Sequence, residues 1–482
     1  MFDVRPVGYV IGLLTAFLGV MMLLPMAVDL YEGNSHWPVF LESGIITMLC
    51  GGLIALACAN GVSEGLTLRQ TFLLTTLVWV ALPLFGSIPF IFGATDARVV
   101  DAFFEAMSGL TTTGSTVFTG LDDLPHGILL WRGILQWLGG IGIIVVAMVF
   151  LPELKVGGMQ IFRSEAFETM GKILPRATQI AAQISVIYIV ITVSCMLTYL
   201  FLGMNGFDAL VHALTTVSTG GFSNYDASFG TFQGAPEYAA SVFMILAALP
   251  FVRYVQLVNG NATPLWRDSQ VRVFLAIIAI LVLVTTLILT SIFPHHWEQA
   301  MREGLFNITS IMSGTGYASV DYMQWGGFLV IMFFFIGLIG GCAGSTACSV
   351  KIFRYQLLFA SIKSQIRTIH SPSGVFTPRY DGRPIGEDVL SSVMSFFVLF
   401  TVSLGALSVL LSFTGLDFTT SVSGAATAIA NIGPGLGDII GPAGNFSTLN
   451  DTAKWLLAGG MLVGRLEVLA VYALFTVNFW RA

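Results

Sequence analysis

Apolar stretches long enough to cross a lipid bilayer constrain the fold of this chain more than any other feature. The first runs from Tyr9 to Val28 without a charged residue. A spanning helix needs about 20 apolar residues, and 55% of this chain is hydrophobic while only 10% is charged. A soluble protein of this length would carry far more charge. We predict about ten membrane helices, near residues 8–30, 38–59, 69–92, 127–151, 178–202, 236–258, 271–294, 325–350, 388–412 and 453–479.

The distribution of charge along the chain predicts its orientation in the membrane. With the N-terminus inside, most of the 21 lysine and arginine residues fall in inner segments, as the positive-inside rule requires. Both termini are therefore expected in the cytoplasm. The outer segments are acidic, with Asp96, Asp122 and Asp226 among them, and a negative mouth would concentrate cations. The acids could also collect outside simply because lysine and arginine are retained inside.

One short pattern recurs four times along the chain. Asp101 begins the segment DAFFEAMSGLTTTGST, Asp208 begins DALVHALTTVSTGGFS, and Glu303 begins EGLFNITSIMSGTGYA. A weaker fourth copy, TTSVSGAATAIANIGPG, begins at Thr419. The alignment places one glycine of each copy at the same position: Gly114, Gly221, Gly316 and Gly433. A single TTTGS between helices is usually a polar turn, but four copies at matching positions indicate an internal repeat.

The surroundings of each copy define a repeating unit. A full apolar helix precedes it, a half-length segment leads into the Thr/Ser/Gly loop, and a second full helix follows. The half-length segments, of about ten residues, are too short to cross a bilayer and suit re-entrant helices. The sequence therefore predicts an all-α polytopic membrane protein with four pseudo-repeated helix–pore-loop–helix units around one pore, plus an extra N-terminal helix pair. The expected segments are residues 1–66 for the N-terminal pair and 67–176, 177–268, 269–386 and 387–482 for the four units, with cytoplasmic linkers ending the first and third.

The four loops have the composition of a cation site built from main-chain oxygens. Non-helical backbone at membrane depth is tolerated only when it is buried in protein or lines a wet cavity, so we expect the loops to meet on one axis. Glycine permits backbone angles at which neighbouring carbonyls point the same way, and rings of carbonyls can replace the hydration shell of a cation. The negative C-terminal ends of the half-helices would favour a cation there as well. The candidate ion-binding residues are Thr111, Thr112, Thr113, Gly114, Ser218, Thr219, Gly220, Gly221, Ser313, Gly314, Thr315, Gly316, Asn431, Ile432 and Gly433.

The loops TTTGST, STGGFS, SGTGYA and NIGPG, each between membrane helices, resemble those of the Trk/Ktr/HKT superfamily of cation transporters. The N-terminal helix pair, the GGCAGST stretch and the terminal GRLE resemble its bacterial potassium-uptake members. In that family a glycine at the key position of all four loops accompanies K⁺ selectivity, which implies K⁺ as the permeating ion. The fourth loop departs from a Thr-x-Gly pattern, because it contains Asn431, Ile432 and Pro434, and Gly435 is a rival for Gly433. This departure leaves room for weaker discrimination against Na⁺.

A possible gate lies in the second helix of the third unit. Its centre is rich in poor helix formers, so the helix is expected to open into a loop below the filter. The residues are Gly340, Gly341, Cys342, Ala343, Gly344, Ser345 and Thr346. Close packing of small residues between helices is an equally good reading of these residues alone. The family resemblance implies an intramembrane loop that obstructs and gates the inner pore.

Arg465 is the charged residue predicted deepest in the membrane. It follows Lys454 along the last helix, roughly 16 Å further from the outer side. A charge at this depth is costly and usually marks a pathway or a paired site. The family resemblance implies that it faces the pore near the gate loop, where it would repel a permeating cation. Alternatively, it could reach the inner surface or pair with a carbonyl or carboxylate for structure.

Other functions fit the sequence less well. No histidine is placed to activate a serine in the loops, so we expect no enzyme. No nucleotide-binding motif is present, and the five cysteines form no CxxC pair. An H⁺- or Na⁺-coupled secondary symporter is the stronger alternative, since such carriers also use broken helices and repeats. The four repeats run in the same direction, as a pore ring needs, and membrane acids are few, which favours passive conduction.

The family resemblance also implies a location and partners. It implies a multi-pass protein of the bacterial inner membrane, with K⁺ as the permeating ion and no organic cofactor. It further implies a homodimer and a cytosolic nucleotide-binding regulatory ring of the TrkA type, and no nucleic acid partner is expected. The basic inner segments 152–177 and 351–387 could lie on anionic lipid or dock the regulator. The first resembles an interfacial helix, and much of the second resembles an exposed linker.

Overall fold

The chain is helical through nearly all of its described length. The computed structural model describes residues 3–61, 66–145, 177–292, 296–466 and 468–481. Within these ranges, seven helices are long and apolar enough to cross a membrane. They are Arg5–Tyr31, Trp37–Cys58, Leu68–Phe92, His126–Ile144, Ala181–Phe201, Ser269–Ile292 and Glu387–Phe413. An eighth span is a pair of helices, Ala235–Ala248 and Phe251–Val258, bent by 92°.

In the N-terminal helix pair, the first span is α1 (Arg5–Met21) continued by α2 (Leu23–Tyr31). The second span is α3 (Trp37–Cys58), followed by a 3₁₀ turn (Ala59–Gly61). α1 and α3 pack closely, because Gly12 and Gly51 let their backbones approach.

The first unit consists of α4 (Leu68–Gly86), α5 (Ile88–Phe92), the half-helix α6 (Val99–Leu110), a 3₁₀ turn (Leu121–Asp123) and α7 (His126–Val145). The second consists of α8 (Ala177–Phe201), the half-helix α9 (Gly206–Val217), a 3₁₀ turn (Ser228–Phe232), α10 (Ala235–Ala248), α11 (Phe251–Val258) and α12 (Thr263–Arg267). Both half-helices contain 12 residues, so neither can cross a bilayer.

The third unit consists of α13 (Ser269–Ile292), the half-helix α14 (Trp297–Ser313), a 3₁₀ turn (Tyr322–Trp325), α15 (Gly327–Gly337), α16 (Ile352–His370) and the hairpin of β1 (Arg379–Tyr380) and β2 (Arg383–Pro384). The fourth consists of α17 (Glu387–Phe413), the half-helix α18 (Phe418–Ala430), α19 (Gly437–Ile440), α20 (Asp451–Arg465), α21 (Leu469–Leu474) and α22 (Val477–Arg481).

Side-chain caps fix where two of the half-helices begin. The Asn205 side chain accepts the N–H of Asp208 (2.7 Å) at the start of α9, and Asp417 accepts the N–H of Thr420 (3.1 Å) at the start of α18. These bonds satisfy backbone donors that a helix start leaves unpaired. Hydrogen bonds from Thr420 also lower the pKa of Asp417.

The four units close into a ring through one repeated contact. The second helix of each unit packs against the half-helix of the next: α7 on α9, α10 on α14, α15 on α18, and α20 on α6. The fourth unit therefore returns to the first. α7 is the most buried of the seven spans. In its apolar stretch of 18 residues 72% is buried, against 22% in the corresponding stretch of α13.

The predicted spans 8–30 and 69–92 are interrupted only at single residues, Met22 and Ser87, but three others are broken more extensively. The span 236–258 is bent by 92° before Phe251, because Pro250 has no N–H to continue the helix. The span 325–350 is helical only to Gly337, and the helix within 453–479 ends at Arg465. The segment 351–387 contains α16 and the β-hairpin, so little of it is linker. The interfacial helix predicted over 152–177 lies almost entirely outside the described residues.

Candidate ion pathway

The four Thr/Ser/Gly loops meet in a closed ring. A methyl group added to the key glycine of any loop would meet the backbone of the next loop. In chain order, Gly114 lies against Gly220, Gly221 against Thr315, Gly316 against Gly433, and Gly433 against Gly114. A methyl on Gly316 would lie 2.7 Å from the Gly433 nitrogen, and one on Gly433 would lie 3.0 Å from the Gly114 oxygen. Side chains at these positions would therefore hold the loops apart.

Each half-helix is followed by a residue with left-handed backbone, two positions before the key glycine. These residues are Thr112 (φ 53°), Thr219 (φ 52°), Gly314 (φ 82°) and Asn431 (φ 52°). Threonine rarely adopts such angles, so surrounding contacts must hold it there. The side chains of Thr112 and Thr219 are fully buried. The four loops therefore repeat one another in backbone conformation as well as in sequence.

The fourth loop keeps this register but not the backbone angle of its key glycine. The other key glycines have φ of 87° at Gly114, 75° at Gly221 and 83° at Gly316. The φ of Gly433 lies outside the left-handed region, because Pro434 restricts the preceding residue to extended backbone. Gly435 donates its N–H to Ile440 (2.7 Å), so Gly433 and not Gly435 lies against the first loop.

Side chains join the first loop to the fourth. The Ser115 hydroxyl donates to the Gly433 carbonyl (2.8 Å), and the Asn431 amide donates to the Thr113 hydroxyl (3.0 Å) and to the Met461 carbonyl (2.9 Å). The side chain of Ile432 is buried in an apolar cluster that includes Ile311 and Ile336. Polar contacts to the first loop thus stabilise the most divergent loop.

Hydroxyl groups of the first and third loops bond within their own loops. Thr111 shares a hydrogen bond with Thr113 (2.8 Å), and Ser313 shares one with Thr315 (2.7 Å). In the second loop the Thr219 hydroxyl donates to the carbonyl of its neighbour Ser218 (2.7 Å). These side chains brace the loops, which leaves main-chain oxygens as the candidate ion ligands.

A cavity of about 270 Å³ opens on one side of the ring, and all four key glycines line it. Asp226 lines it too, but both of its carboxylate oxygens accept backbone N–H groups, from Gly120 (2.8 Å) and Leu121 (3.2 Å). Burial raises the pKa of Tyr225 to about 12, so this lining residue stays neutral. If the half-helices enter from the outer side, as predicted from the sequence, this cavity is expected to be an entrance vestibule.

Two polar residues of α7 lie behind the ring. Gln136 contacts the second loop, and Arg132 pairs with Glu105 of α6 (2.8 Å). All three side chains are almost completely buried. In the sequence, Arg132 and Gln136 are a charged residue and an amide residue within a predicted span, and this pattern favours a functional site. Neither residue of α7 is among the candidates predicted from sequence.

The predicted gate segment is a loop without helical structure between α15 and α16. All seven residues, Gly340, Gly341, Cys342, Ala343, Gly344, Ser345 and Thr346, lie in it. Backbone hydrogen bonds join this loop to the bend between α10 and α11. The Cys342 N–H donates to the Ala248 carbonyl (3.0 Å), and the Phe251 N–H donates to the Gly344 carbonyl (2.9 Å).

The bend in the second unit explains why the loop docks there. A helix broken at Pro250 leaves the carbonyls of its last turn without intrahelical partners. The Thr346 hydroxyl donates to one of them, that of Ala247 (3.0 Å). From α13, the Gln270 side chain accepts the Ala343 N–H (2.9 Å). The loop therefore has defined partners on two neighbouring helices.

Arg465 lies at the end of α20 and is only 4% exposed. It donates to the Cys348 sulfur (2.6 Å) and to the Gly139 carbonyl (3.1 Å). Cys348 in turn lies 3.6 Å from the Thr112 hydroxyl, directly beside the ring. Cys348, which is not among the predicted gate residues, therefore links Arg465 to the ring of loops.

The space between the ring and the gate segment is small. A cavity of about 40 Å³ is lined by Gly344, Ser345, Cys348, Asn431 and Arg465 among others. This volume holds about three water molecules, much less than a cation with its hydration shell needs. Arg354 also lines it, with its guanidinium 3.8 Å from the centre of the Phe396 ring. In the part of the chain that the structure describes, this space is too small for a hydrated cation.

A family profile described as "TrkH: Cation transport protein" matches residues 36–481. The chain belongs to the TrkH family of cation transport proteins. It is 42% identical over 478 residues to "Trk system potassium uptake protein TrkI" of Halomonas elongata, covering 99% of this chain and 97% of that protein. It is 35% identical over 490 residues to "Trk system potassium uptake protein TrkH" of Escherichia coli K12, covering 99% of each.

A solved structure of the TrkH family has the same fold. The structure described as "Crystal Structure of the Potassium Transporter TrkH from Vibrio parahaemolyticus" matches with a TM-score of 0.90 and 33% identity, over 100% of both chains. The resemblance to this superfamily and the all-helical, multi-span fold with re-entrant segments are thus confirmed. Membership of a transport family also confirms the expectation that the chain is not an enzyme. The binding and gating roles of individual residues remain predictions.

Replacing Gly114 with alanine tests whether close approach of the loops is needed. The methyl group would run into the Gly220 carbonyl, so we expect cation flux in liposomes to fall by about tenfold or more. Gly260→Ala is the matched control, because Gly260 has the same left-handed backbone (φ 88°) with nothing within 4 Å of the added methyl. Equal flux in both variants would show that crowding at the ring is unimportant.

Proposed function

We propose that this chain takes up K⁺ across the bacterial inner membrane through a filter of main-chain oxygens contributed by its four loops. The observation that carries the proposal is the closed ring of glycine contacts, with a cavity on one side that all four key glycines line. The relatives named as potassium uptake proteins and the glycine at each key position support K⁺ as the ion.

In the proposed mechanism a cation enters the vestibule and exchanges its water shell for carbonyl oxygens of the ring. Backbone dipoles cost little to reorganise because the surrounding loops are packed and hydrogen-bonded. The half-helices point their C-terminal ends at the same place, which adds negative potential. No side chain with a formal charge is required at the ring itself.

The gate in this proposal is the loop between α15 and α16 together with Arg465. The loop occupies the space below the ring, and the buried guanidinium would oppose a cation arriving there. Opening requires the loop to leave its partners on α10, α11 and α13. Those contacts are a few hydrogen bonds between neutral groups, each of modest strength.

Regulation and assembly complete the proposal. We expect both termini in the cytoplasm, a homodimer with one pore per subunit, and a cytosolic nucleotide-binding ring of the TrkA type that sets the gate. The names of the relatives, which place them in Trk systems, support a multi-component assembly. α16 leads directly from the gate loop to the basic segment around Arg379 and Arg383, which provides a mechanical link to a cytosolic partner.

The alternative function is an H⁺- or Na⁺-coupled symporter. Such a mechanism needs an acid that changes its protonation or ion occupancy in the pathway. Glu105 is buried near the ring, but it pairs with Arg132 and accepts hydrogen bonds from the Thr116 hydroxyl (2.9 Å) and the Val117 N–H (2.9 Å). This full set of partners favours a structural role for the Glu105 carboxylate over a role in ion coupling.

Flux into liposomes tests the proposed function. Uptake of labelled Rb⁺ into K⁺-loaded liposomes is expected to be inhibited strongly by external K⁺ and Rb⁺ and weakly by Na⁺ and Li⁺. It should proceed without any added gradient of H⁺ or Na⁺, whereas a strict requirement for either gradient would establish the symporter. Equal inhibition by all four ions would refute a K⁺-selective filter.

Removing the charge of Arg465 tests the gate. Arg465→Met should raise the flux measured without a regulator by about tenfold, since a buried repulsive charge is lost. Arg465→Lys keeps the charge and should leave the flux low if electrostatic repulsion closes the pathway. If the lysine variant leaks as much as the methionine variant, contacts with Cys348 and Gly139 close the pathway and not the charge.

A further inference from the structure

We propose that Gln136 is a positioning residue that sets cation selectivity by holding the second loop in register with the other three. The inference rests on the proposed function, because it concerns the same filter. Gln136 lies on α7, its side chain is completely buried, and it hydrogen-bonds to the residues on either side of Gly221.

Two hydrogen bonds from one amide group straddle the key glycine of this loop. The Gln136 Nε2 donates to the Gly220 carbonyl (2.6 Å), and its Oε1 accepts the N–H of Phe222 (3.0 Å). An amide side chain supplies a donor and an acceptor at a fixed separation. The backbone on both sides of Gly221 is therefore tied to a single rigid group.

The second loop needs this support because it lacks a hydroxyl that the first and third loops have. Thr113 and Thr315, one position before their key glycines, bond to Thr111 and Ser313 in their own loops. The equivalent residue in the second loop is Gly220. A methyl group there would run into the Gln136 amide, so the glutamine takes the space and the role of the missing threonine side chain.

The same face of α7 holds the rest of the loop. Arg132, one turn earlier, donates to the Ser223 carbonyl (2.7 Å), and its guanidinium lies 4.2 Å from the centre of the Phe222 ring. Gly140, one turn later, lets Ser218 approach, because a methyl there would lie 2.9 Å from the Ser218 Cβ. Residues spaced by four on a helix share one face. α7 thus supports the whole second loop, with Gln136 at the level of the ring.

We expect the loss of this support to change the selectivity between ions more than it changes the amount of flux. Discrimination between K⁺ and Na⁺ depends on how closely the carbonyls can follow the smaller ion or on how many of them it meets. A loop released from Gln136 would let the Gly220 carbonyl move toward Na⁺, while K⁺ would still be bound by the other oxygens. The inhibition of Rb⁺ uptake by Na⁺, relative to inhibition by K⁺, measures this directly.

Gln136→Leu, which keeps the volume but loses both hydrogen bonds, is expected to strengthen inhibition by Na⁺ relative to K⁺ by about fivefold. The double variant Gln136→Ala with Gly220→Thr should restore the wild-type ratio, because a threonine hydroxyl can bond to Ser218 as in the other loops. Gln270→Leu is the control: it removes a buried glutamine at the gate loop, so it should change the amount of flux and leave the ion ratio unchanged.

An unchanged ion ratio in a folded Gln136→Leu protein would overturn the inference. If that variant fails to fold, Gln136→Glu gives the same test. It keeps an acceptor for Phe222 but, when ionised, has no donor for Gly220, so a wild-type ratio at a pH where this carboxylate is ionised would also refute the role. Wild-type protein that does not distinguish K⁺ from Na⁺ would instead refute the proposed filter, which separates the two failures.

Discussion

The four loops put non-helical backbone at the level of the spanning helices, where lipid cannot satisfy main-chain polar groups, and the rest of the structure depends on how the loops solve this. They close on one another, glycine against backbone, so that each loop is covered by the next. Around the loops, the second helix of each unit packs against the half-helix of the next unit, so the helices also form a closed ring. A ring built this way needs small residues where the loops touch.

The closure is not symmetric, and the asymmetry has identifiable causes. Pro434 prevents the backbone angle that the other key glycines adopt, and Ser115 and Asn431 supply side-chain bonds between the first and fourth loops instead. The N-terminal helix pair acts from further away. The Asp29 carboxylate pairs with His36 (2.9 Å) and accepts the N–H of Gly127 (2.7 Å), which ties this pair to the start of α7. Elements outside the repeat thus stabilise the helix that supports the ring.

Features that depend on residues close together in the sequence could be predicted from the sequence. The alignment of Gly114 with its three counterparts, and the short apolar half-helices before them, follow from composition and spacing. The 92° bend at Pro250 could not be predicted in this way, because the hydropathy averaged over a span does not register one missing N–H. Nor could Gln136 be assigned a partner, since it bonds to a carbonyl 84 residues away. Contacts of this kind depend on how helices pack, and a single sequence does not encode that packing in any local period.

The position of a bound ion tests the central claim most directly. Anomalous scattering from Rb⁺ or Tl⁺ in crystals of the protein would locate the ion independently of any functional assay. A ring of main-chain oxygens predicts a peak on the axis enclosed by Gly114, Gly221, Gly316 and Gly433. A map with no peak on that axis, or with the ion held by carboxylates such as Glu105, would contradict it.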